Sequence, residues 1–419
     1  MRPRVIDDAA GQGMVSATLA RASRPSDAWE GETTPMTRVA VHRLDLSNFR
    51  CHRAARIEGD GRCVVLTGPN GAGKTNILEA VSFLAPGRGL RRARLMEIDF
   101  DPALAGDTDA TAADGPWAVA ARLETAAGMI AIGTGRDAAG ETGDRRVVRI
   151  DGQTIKGQAA LGQHLHLVWL TPQMDRLFQE GASPRRRFLD RLVFAFDPEH
   201  ATRLSGYEQI LRERARLLRD GGDAAWLTQL EQNMAEAGVA IAAARRDVAL
   251  RLDAIAGDLP AGPFPVPRVS VTGTPESWLA TLPSLAAEER MRAELAANRR
   301  IDAESGGAII GPHRSDLVVT HAAKDVPAAR CSTGEQKALL IAVVLAHARL
   351  QVELRGTVPI LLLDEVAAHL DPLRRAALFE TILALGAQAW MTGTDAGFFA
   401  ELAGRAQFFN VAGGTIAPG

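Results

Sequence analysis

The stretch GPNGAGKT at residues 68–75 places Gly68, Gly73, Lys74 and Thr75 in the pattern G-x-x-x-x-G-K-[ST]. Glycines at this spacing let consecutive backbone N–H groups converge on phosphates, Lys74 reaches the β- and γ-phosphates, and the Thr75 hydroxyl holds Mg²⁺. The whole loop, Gly68, Pro69, Asn70, Gly71, Ala72, Gly73, Lys74, Thr75 and Asn76, is therefore the expected ATP cradle. A second chemical element lies far downstream. The run ILLL at 360–363 delivers Asp364 and Glu365 to a strand end, where Asp364 is expected to bind Mg²⁺ through water and Glu365 to orient or deprotonate the attacking water. Between them, STGEQK at 332–337 precedes a long apolar run, so Ser332, Thr333 and Gly334 are expected to cap a helix whose amide end grips a phosphate.

These residues need strands and helices to hold them. RCVVLTGPN is a buried strand entering the loop, and NILEAVSFL continues it as a helix. RVAVHRLDLSNFR alternates as a strand; WAVAARLETAAGMIAIGT and RVVRIDGQTI form strand pairs with Gly and Asp-Gly turns, giving mixed sheets. HLHLVWLTP is a further strand, and SPRRRFLDRLVF starts a helix with Ser183 as cap and Pro184 at its first position. Residues 199–256 are helical in texture, broken at GGD (221–223). Leu227, Leu230, Met234, Ala237, Ile241, Ala244 and Val248 then alternate spacings of three and four before Leu252 and Ile255, an antiparallel arm of about three heptads. PAGPFPVP is a stiff linker, RVSVTGT a strand, and SLAAEERMRAELAANRRIDAE a helix. Residues 1–36 mix Pro, Gly, Ser and charges without period, the texture of a disordered tail, which suggests translation from Met36 instead of Met1 or Met14. The expected organisation is α/β: a head from 37–198 and 308–419 (lobe I) and a helical insertion over 199–307 (lobe II).

Composition narrows the function class. With 46% hydrophobic and 23% charged residues the chain is an ordinary globular protein, and no run approaches the roughly 20 apolar residues of a membrane helix. The three cysteines, Cys51, Cys63 and Cys331, have neither metal-site nor redox-pair spacing, as expected of a cytoplasmic protein. A net charge of −2 means that any polyanion must be held by local patches. Two such clusters are Arg88, Arg91, Arg92 and Arg94, and Arg185, Arg186 and Arg187, each able to neutralise backbone phosphates without reading sequence. One tyrosine and 5% aromatics supply few stacking platforms, which favours backbone and duplex contacts.

STGEQK before ILLLDEVAAHLD resembles the signature motif, Walker B strand and D-loop of the ABC-type ATPase superfamily, with Asp371 at the D-loop position and Gln173 at the Q-loop position that senses the γ-phosphate and metal. An arm this short is unlike the hundreds of heptad residues in SMC and Rad50 chains. LDLSNFRCH (44–52), GRGLRRARLMEI (87–98), SPRRRFLDR (183–191) and AIIGPHRSDL (308–317) resemble, in order, the bacterial recombination-mediator branch of that superfamily. The resemblance implies an SMC/Rad50-like head that binds ATP and Mg²⁺ and pairs into a homodimer when Ser332 and Gly334 of one copy close on the ATP of another. It implies binding to single-stranded and gapped or duplex DNA, and weak DNA-stimulated ATP hydrolysis. It also implies a role in replication, recombinational repair and the SOS response, helping to load RecA with RecO and RecR, with no membrane partner. Many family members carry an acidic residue in place of Gln173 and Gln in place of Glu335, and the switch histidine of transporters is absent, with Thr392, Gly393, Thr394 and Asp395 at that place. His313 and Arg314 carry the family pattern without a derivable role. The rival readings are a transporter ATPase subunit, against which the long insertion stands, and an ATP-binding scaffold that scarcely turns over.

Overall fold

The computed structural model describes residues 37–105, 115–137, 145–258, 262–368 and 370–419; the tail expected over residues 1–36, with its alternative starts, lies outside them. The chain begins β1 (Thr37–Arg38), β2 (Ala40–Phe49), β3 (His52–Glu58), β4 (Cys63–Thr67), α1 (Lys74–Ser82) and α2 (Pro102–Ala105). Then come β5 (Ala118–Thr125), β6 (Gly128–Asp137), β7 (Arg145–Ile150), β8 (Gln153–Ile155) and β9 (Leu167–Leu170). The helical section holds α3 (Ala182–Phe194), α4 (His200–Asp220), α5 (Ala224–Gly257), β10 (Pro267–Thr272), α6 (Thr274–Trp278), α7 (Ser284–Ala297) and α8 (Arg299–Ser305). The chain closes with β11 (Asp316–His321), β12 (Val326–Pro327), α9 (Thr333–Arg355), β13 (Thr357–Val358), β14 (Ile360–Leu363), α10 (Pro372–Ala384), β15 (Ala389–Gly393), β16 (Ala406–Ala412) and β17 (Thr415–Pro418).

One six-stranded sheet has the order β17-β16-β4-β15-β14-β9, parallel except for β17. Register pairs Thr67 with Gly393, and Leu363 with both Met391 and Leu170. The carboxyl ends of β4, β15, β14 and β9 thus share one edge, the place where a parallel sheet leaves a crevice for ligands. Both faces are covered, as the continuous apolar runs require. Cys63, Val65, Leu361 and Leu363 face a core with α3, the second half of α5, and α9; Val64, Leu66, Ile360 and Leu362 face a core with α1 and the second sheet. That second sheet is antiparallel, in the order β3-β2-β5-β6-β7-β8. Asp151 and Gly152, at φ 48 and 81, make the expected Asp-Gly turn between β7 and β8. The α/β architecture with mixed sheets expected from the motifs is the one observed.

Helix details depart from expectation. α3 begins at Ala182 with Gly181 as cap, so Ser183 and Pro184 are its second and third residues. Proline is tolerated there because the first four N–H groups of a helix lack intrahelical acceptors anyway. The last long helical run divides at Asn298 into α7 and α8. The break at 221–223 is as read, with Gly221 left-handed at the end of α4 and the Asp223 side chain accepting from the N–H groups of Ala225 and Trp226. α5 packs against α4 and also against α7, and its buried face adds Ala235, Gly238, Val239 and Ala242 to the predicted stripe. A two-helix seam is therefore too narrow a description. Tyr207, Met234, Ile241, Trp278 and Met291 form a separate core here.

This helical core is tied by charges. Arg214, 1% exposed, donates to Glu231 at 3.0 Å, Asp302 at 2.7 Å and the Leu295 carbonyl at 2.7 Å, while Arg299 holds the other side of Glu231 at 2.6 Å. Among the described residues no helix is long and apolar enough to cross a membrane. Removing one partner of a buried charge network strands the others, so Arg214→Met is expected to destabilise the protein by roughly 3–5 kcal/mol. Urea unfolding followed by far-ultraviolet circular dichroism checks this; a loss below about 1 kcal/mol contradicts it.

Candidate nucleotide site

The phosphate loop is forced into shape from below. Gly68 has φ 147°, and a Cβ there would lie 2.1 Å from the Val411 carbonyl oxygen. Gly73 has φ 103°, and its Cβ would meet the Cys51 sulfur at 2.5 Å and the His52 ring at 2.8 Å. Only glycine fits either place. His52, fully buried, contacts the Gly414 carbonyl through Nδ1 at 2.8 Å and the Gly73 carbonyl through Nε2 at 3.3 Å, and Asn76 Nδ2 donates to the Cys51 sulfur at 3.1 Å. The loop then rests on the β2–β3 turn and the β16–β17 turn together.

Around it lies a cavity of about 320 Å³ lined by Asn70–Asn76 of the loop, with Arg50, Arg91, Leu104 and Glu365. Lys74 opens α1, and its ammonium donates to the carbonyls of Gly68 at 2.6 Å and Pro69 at 2.7 Å. Burial lowers its pKa, against the opposing pull of the Glu365 and Asp364 charges. Asp364, 5% exposed, accepts from the Thr75 hydroxyl at 3.0 and 3.1 Å and from the Thr392 hydroxyl at 2.7 Å. Thr392 in turn accepts the Glu365 N–H at 2.8 Å. Glu365 sits at φ 50°, a left-handed backbone that turns the chain sharply after β14. Burial raises the Asp364 pKa; the two hydroxyls pull it back and the neighbouring Glu365 charge adds to the rise.

The donor set fits Mg²⁺. A hydroxyl, one carboxylate and phosphate oxygens are hard ligands, and Mg²⁺ keeps several waters instead of needing an all-protein cage. No group of three or more His, Cys, Asp or Glu able to hold a metal by itself occurs among the described residues.

The remaining predicted residues fall in distinct places. Gln173 is exposed on the turn Pro172–Arg176 after β9, three residues beyond Leu170, whose carbonyl accepts the Asp364 N–H at 2.9 Å. Ser332 caps α9 on an exposed surface; its hydroxyl accepts from the Glu335 N–H at 3.4 Å and donates to the Glu335 carboxylate at 2.9 Å, with Gly334 the second residue of the helix. Lys324 pairs with the same carboxylate and holds its pKa down at about 2. Asp371 caps α10, accepting the Arg374 N–H at 2.9 Å. Lys337 of α9 joins the neighbourhood of Gln173 to that of Asp371, donating to Asp175 at 3.4 Å and to the Ala368 carbonyl at 2.9 Å.

The arginine clusters are not the uniform patches the sequence suggested. Arg91 turns into the nucleotide cavity, donating to Asn76 at 2.7 Å and to the fully buried Glu79 at 3.0 Å, where Arg50 also binds at 2.8 and 3.0 Å. Arg185 is bidentate on Asp316, 2.7 Å to each oxygen, Arg186 donates to the Ser315 carbonyl at 2.8 Å, and Arg187 to Ser183 at 2.8 Å. The Arg185 and Arg186 guanidiniums fasten α3 to the residues before and within β11, whereas Arg187 bonds within α3. Arg88, Arg92 and Arg94 are exposed. His313 is hydrogen-bonded on both sides, to the Tyr207 hydroxyl and the Ala308 carbonyl at 2.8 Å each, and Arg314 also donates to Ala308 at 3.2 Å. This is a packed loop. Arg50, Glu79 and Thr392 were missed as site residues; NFRCH carried Arg50 in plain view, but a fully buried acid on α1 gives no local signal.

Comparison with known proteins places this geometry in context. The RecF/RecN/SMC N-terminal domain family matches residues 40–415. The DNA replication and repair protein RecF of Mesorhizobium japonicum is 49% identical over 380 residues, covering 90% of this chain and 97% of its own. That of Rhizobium etli is 49% identical over 381 residues, covering 90% and 99%. Among solved structures, the recombination mediator protein RecF-ATPrS in the RecFOR pathway superposes with a TM-score of 0.76 at 21% identity, covering 91% of this chain and 98% of that one. An SMC head bound to the C-winged helix domain of ScpA gives 0.51 at 15% identity, covering 91% and 97%. At these identities the structural likeness is one of fold.

Two predictions follow from the Asp364 cluster. Thr392→Val keeps the volume but removes the donor to Asp364 and the acceptor of the Glu365 N–H; it is expected to lower Mg²⁺-dependent nucleotide affinity roughly 10- to 100-fold, and Thr392→Ser to restore it. Titration of a fluorescent ATP analogue with Mg²⁺ and with EDTA reads this out, and equal affinity for Val and Thr would refute it. Asp364 has a folded pKa raised above its unfolded value, so stability is lost as pH rises from the unfolded pKa through the folded one, and the full cost stands above it. Asp364→Asn should therefore raise the melting temperature of the nucleotide-free protein, by about 1–4 °C, while weakening Mg²⁺-dependent binding; a lowered melting temperature contradicts it.

Proposed function

The chain belongs to the RecF branch of the RecF/RecN/SMC family, and from that premise we propose that it is an ATP-dependent DNA-binding protein of replication and recombinational repair. It holds ATP with Mg²⁺ at the phosphate loop. Lys74 exchanges the loop carbonyls for β- and γ-phosphate oxygens, Thr75 and Asp364 supply the oxygen ligands, and Glu365, at the cavity wall, orients or deprotonates the attacking water. Bound Mg²⁺ contributes neutralisation of the developing phosphate charge.

The observation that carries the reading is the separation of two half-sites. Ser332 opens α9 on an exposed surface, while the cavity holding Lys74 is lined by the phosphate loop, Arg50, Arg91, Leu104 and Glu365. A nucleotide seated on the loop is then completed by the α9 amino terminus of a second copy. ATP drives a head-to-tail pair with two nucleotides at the interface, slow hydrolysis stimulated by DNA releases it, and the DNA-bound pair helps RecO and RecR to load RecA. Exposed Arg88, Arg92 and Arg94 remain available to phosphates, whereas Arg185 and Arg186 are engaged within the fold.

Sedimentation with Mg²⁺ and ATP tests this. Glu365→Gln is expected to accumulate a dimer because closure proceeds without hydrolysis, and Ser332→Arg is expected to stay monomeric with ATP affinity within about twofold of wild type. A single monomeric species for both wild type and Glu365→Gln would refute pairing; a large loss of ATP affinity in Ser332→Arg would place the two half-sites in one chain.

A further inference from the structure

The loop 87–95 faces two ways. Arg91 enters the nucleotide cavity, while Arg88 and Arg94 line a second, larger cleft of about 550 Å³ against the β7–β8 hairpin. From β7 come Arg145 and Arg146, and the end of β6 adds Asp137, the one carboxylate of the lining among the described residues. Among the described residues, four guanidiniums against one acid make a positive lining in a molecule of net charge −2.

Arg146 explains why the cleft has a fixed shape. Its Nε donates to Thr134 at 2.7 Å, Nη1 to the Gly87 carbonyl at 2.8 Å and to Gln158 at 2.7 Å, and Nη2 to the carbonyls of Phe83 and Ala85, with the guanidinium 5.2 Å from the Phe83 ring centre. Every partner is neutral. Burial lowers its pKa only to about 10, so the charge persists at neutral pH. Arg146 thereby clamps the segment after α1 to the strand β7 and the Gln158 turn, and its positive charge has no counter-ion among the described residues. Arg88, Arg94 and Arg145 are exposed, and their guanidiniums form no ion pair among the described residues. Leu95, Val147 and Ile155 give the same cleft an apolar wall.

Size selects the ligand. The volume lies in the range of small-ligand pockets, roughly 300–1,000 Å³, room for one or two nucleotides and far too little for a duplex. We propose that this cleft seats one or two nucleotides of a single nucleic-acid strand, with phosphates on Arg88, Arg94 and Arg145 and a base against Leu95, Val147 and Ile155. The proposal rests on the DNA-binding reading above and gives it a place and a strand preference. Arginines here meet backbone phosphates, and the aliphatic wall accepts any base face, so binding is indifferent to sequence and steeply salt-dependent. Its walls being held by Arg146 means that the strand, and not the protein, does the adapting.

The test is fluorescence anisotropy with a labelled oligothymidylate and a blunt hairpin duplex, in Mg²⁺ and ATP, for wild type, Arg145→Ala and the double variant Arg88→Ala/Arg94→Ala. Single-strand affinity should fall roughly tenfold, with the slope of log K against log salt reduced by about 0.7 per arginine removed, while hairpin affinity changes less than twofold. Unlabelled thymidine monophosphate, which shares the chemistry, should not displace the strand. Unchanged strand affinity and slope would overturn the proposal, as would equal losses for strand and hairpin, or displacement by the mononucleotide, which would make this a free-nucleotide site. Wild type that binds neither DNA would instead sink the DNA-binding reading, and this proposal with it.

Discussion

A single buried carboxylate holds the working end of this molecule together. Asp364 receives the Thr75 hydroxyl from the phosphate-loop helix and the Thr392 hydroxyl from the end of β15, and Thr392 in turn receives the N–H of Glu365. Three segments far apart in sequence thereby meet at one sheet edge. The strand order makes this possible, because β15 lies between β4 and β14 and brings Thr392 to both. The arrangement is not restful: a carboxylate buried without a cation is penalised, and two neutral hydroxyls return only part of that penalty. Such a group remains receptive to a metal and its phosphates, which links the local instability of the site to its chemistry.

Positive charge in the chain is sorted by what it meets. Glu79 gathers Arg50 and Arg91 at the nucleotide cavity. Asp190 gathers Arg245 at 2.7 and 2.9 Å and His200 at 2.9 Å, and Arg245 reaches the Pro312 carbonyl at 2.6 Å. Together with Arg185 on Asp316 and Arg186 on Ser315, this fixes α3, α4 and α5 to the segment 311–316, where the helical section rejoins the sheets. A guanidinium held bidentately by a half-buried carboxylate gives up that pairing before it can take a phosphate, so counting arginines overstates a polyanion-binding surface. Of the two arginine clusters, Arg88, Arg92 and Arg94 are exposed members whose guanidiniums are not engaged in this way.

The parts legible in the sequence are those encoded by short-range spacing. The phosphate loop, the acids after ILLL and the helix after STG follow from local pattern and backbone chemistry, and the glycines prove necessary for reasons the pattern implies, a Cβ at Gly68 having nowhere to go. Partnerships between segments were not legible even at separations of 28 and 29 residues: nothing near Thr392 announces Asp364, and nothing near Glu79 announces Arg50. AIIGPHRSDL was recognised as a family stretch without a role, and the arginines of SPRRRFLDR were read as phosphate contacts and not as a structural tie. They are each other's partners, which is why neither alone suggested one. The start of α3 shifted because proline is compatible with several first-turn positions and so marks a helix start only to within a residue or two.

The amino end of α9 shows how the proposed pairing stays reversible. Ser332 and Glu335 satisfy each other in a capping box and Lys324 neutralises the carboxylate, while the Thr333 and Gly334 N–H groups, like those of any first helical turn, have no acceptor within the helix. A partner's triphosphate arriving there replaces one anion by another at the same amides and hydroxyl, an exchange near balance by itself. With Gln in place of Glu335, the incoming phosphate would meet no resident charge. In this chain the free energy for closure must therefore come from the rest of the interface and from Mg²⁺-bound nucleotide on the opposite loop. A contact whose two states are nearly equal in energy is one that the loss of a single phosphate group can reverse.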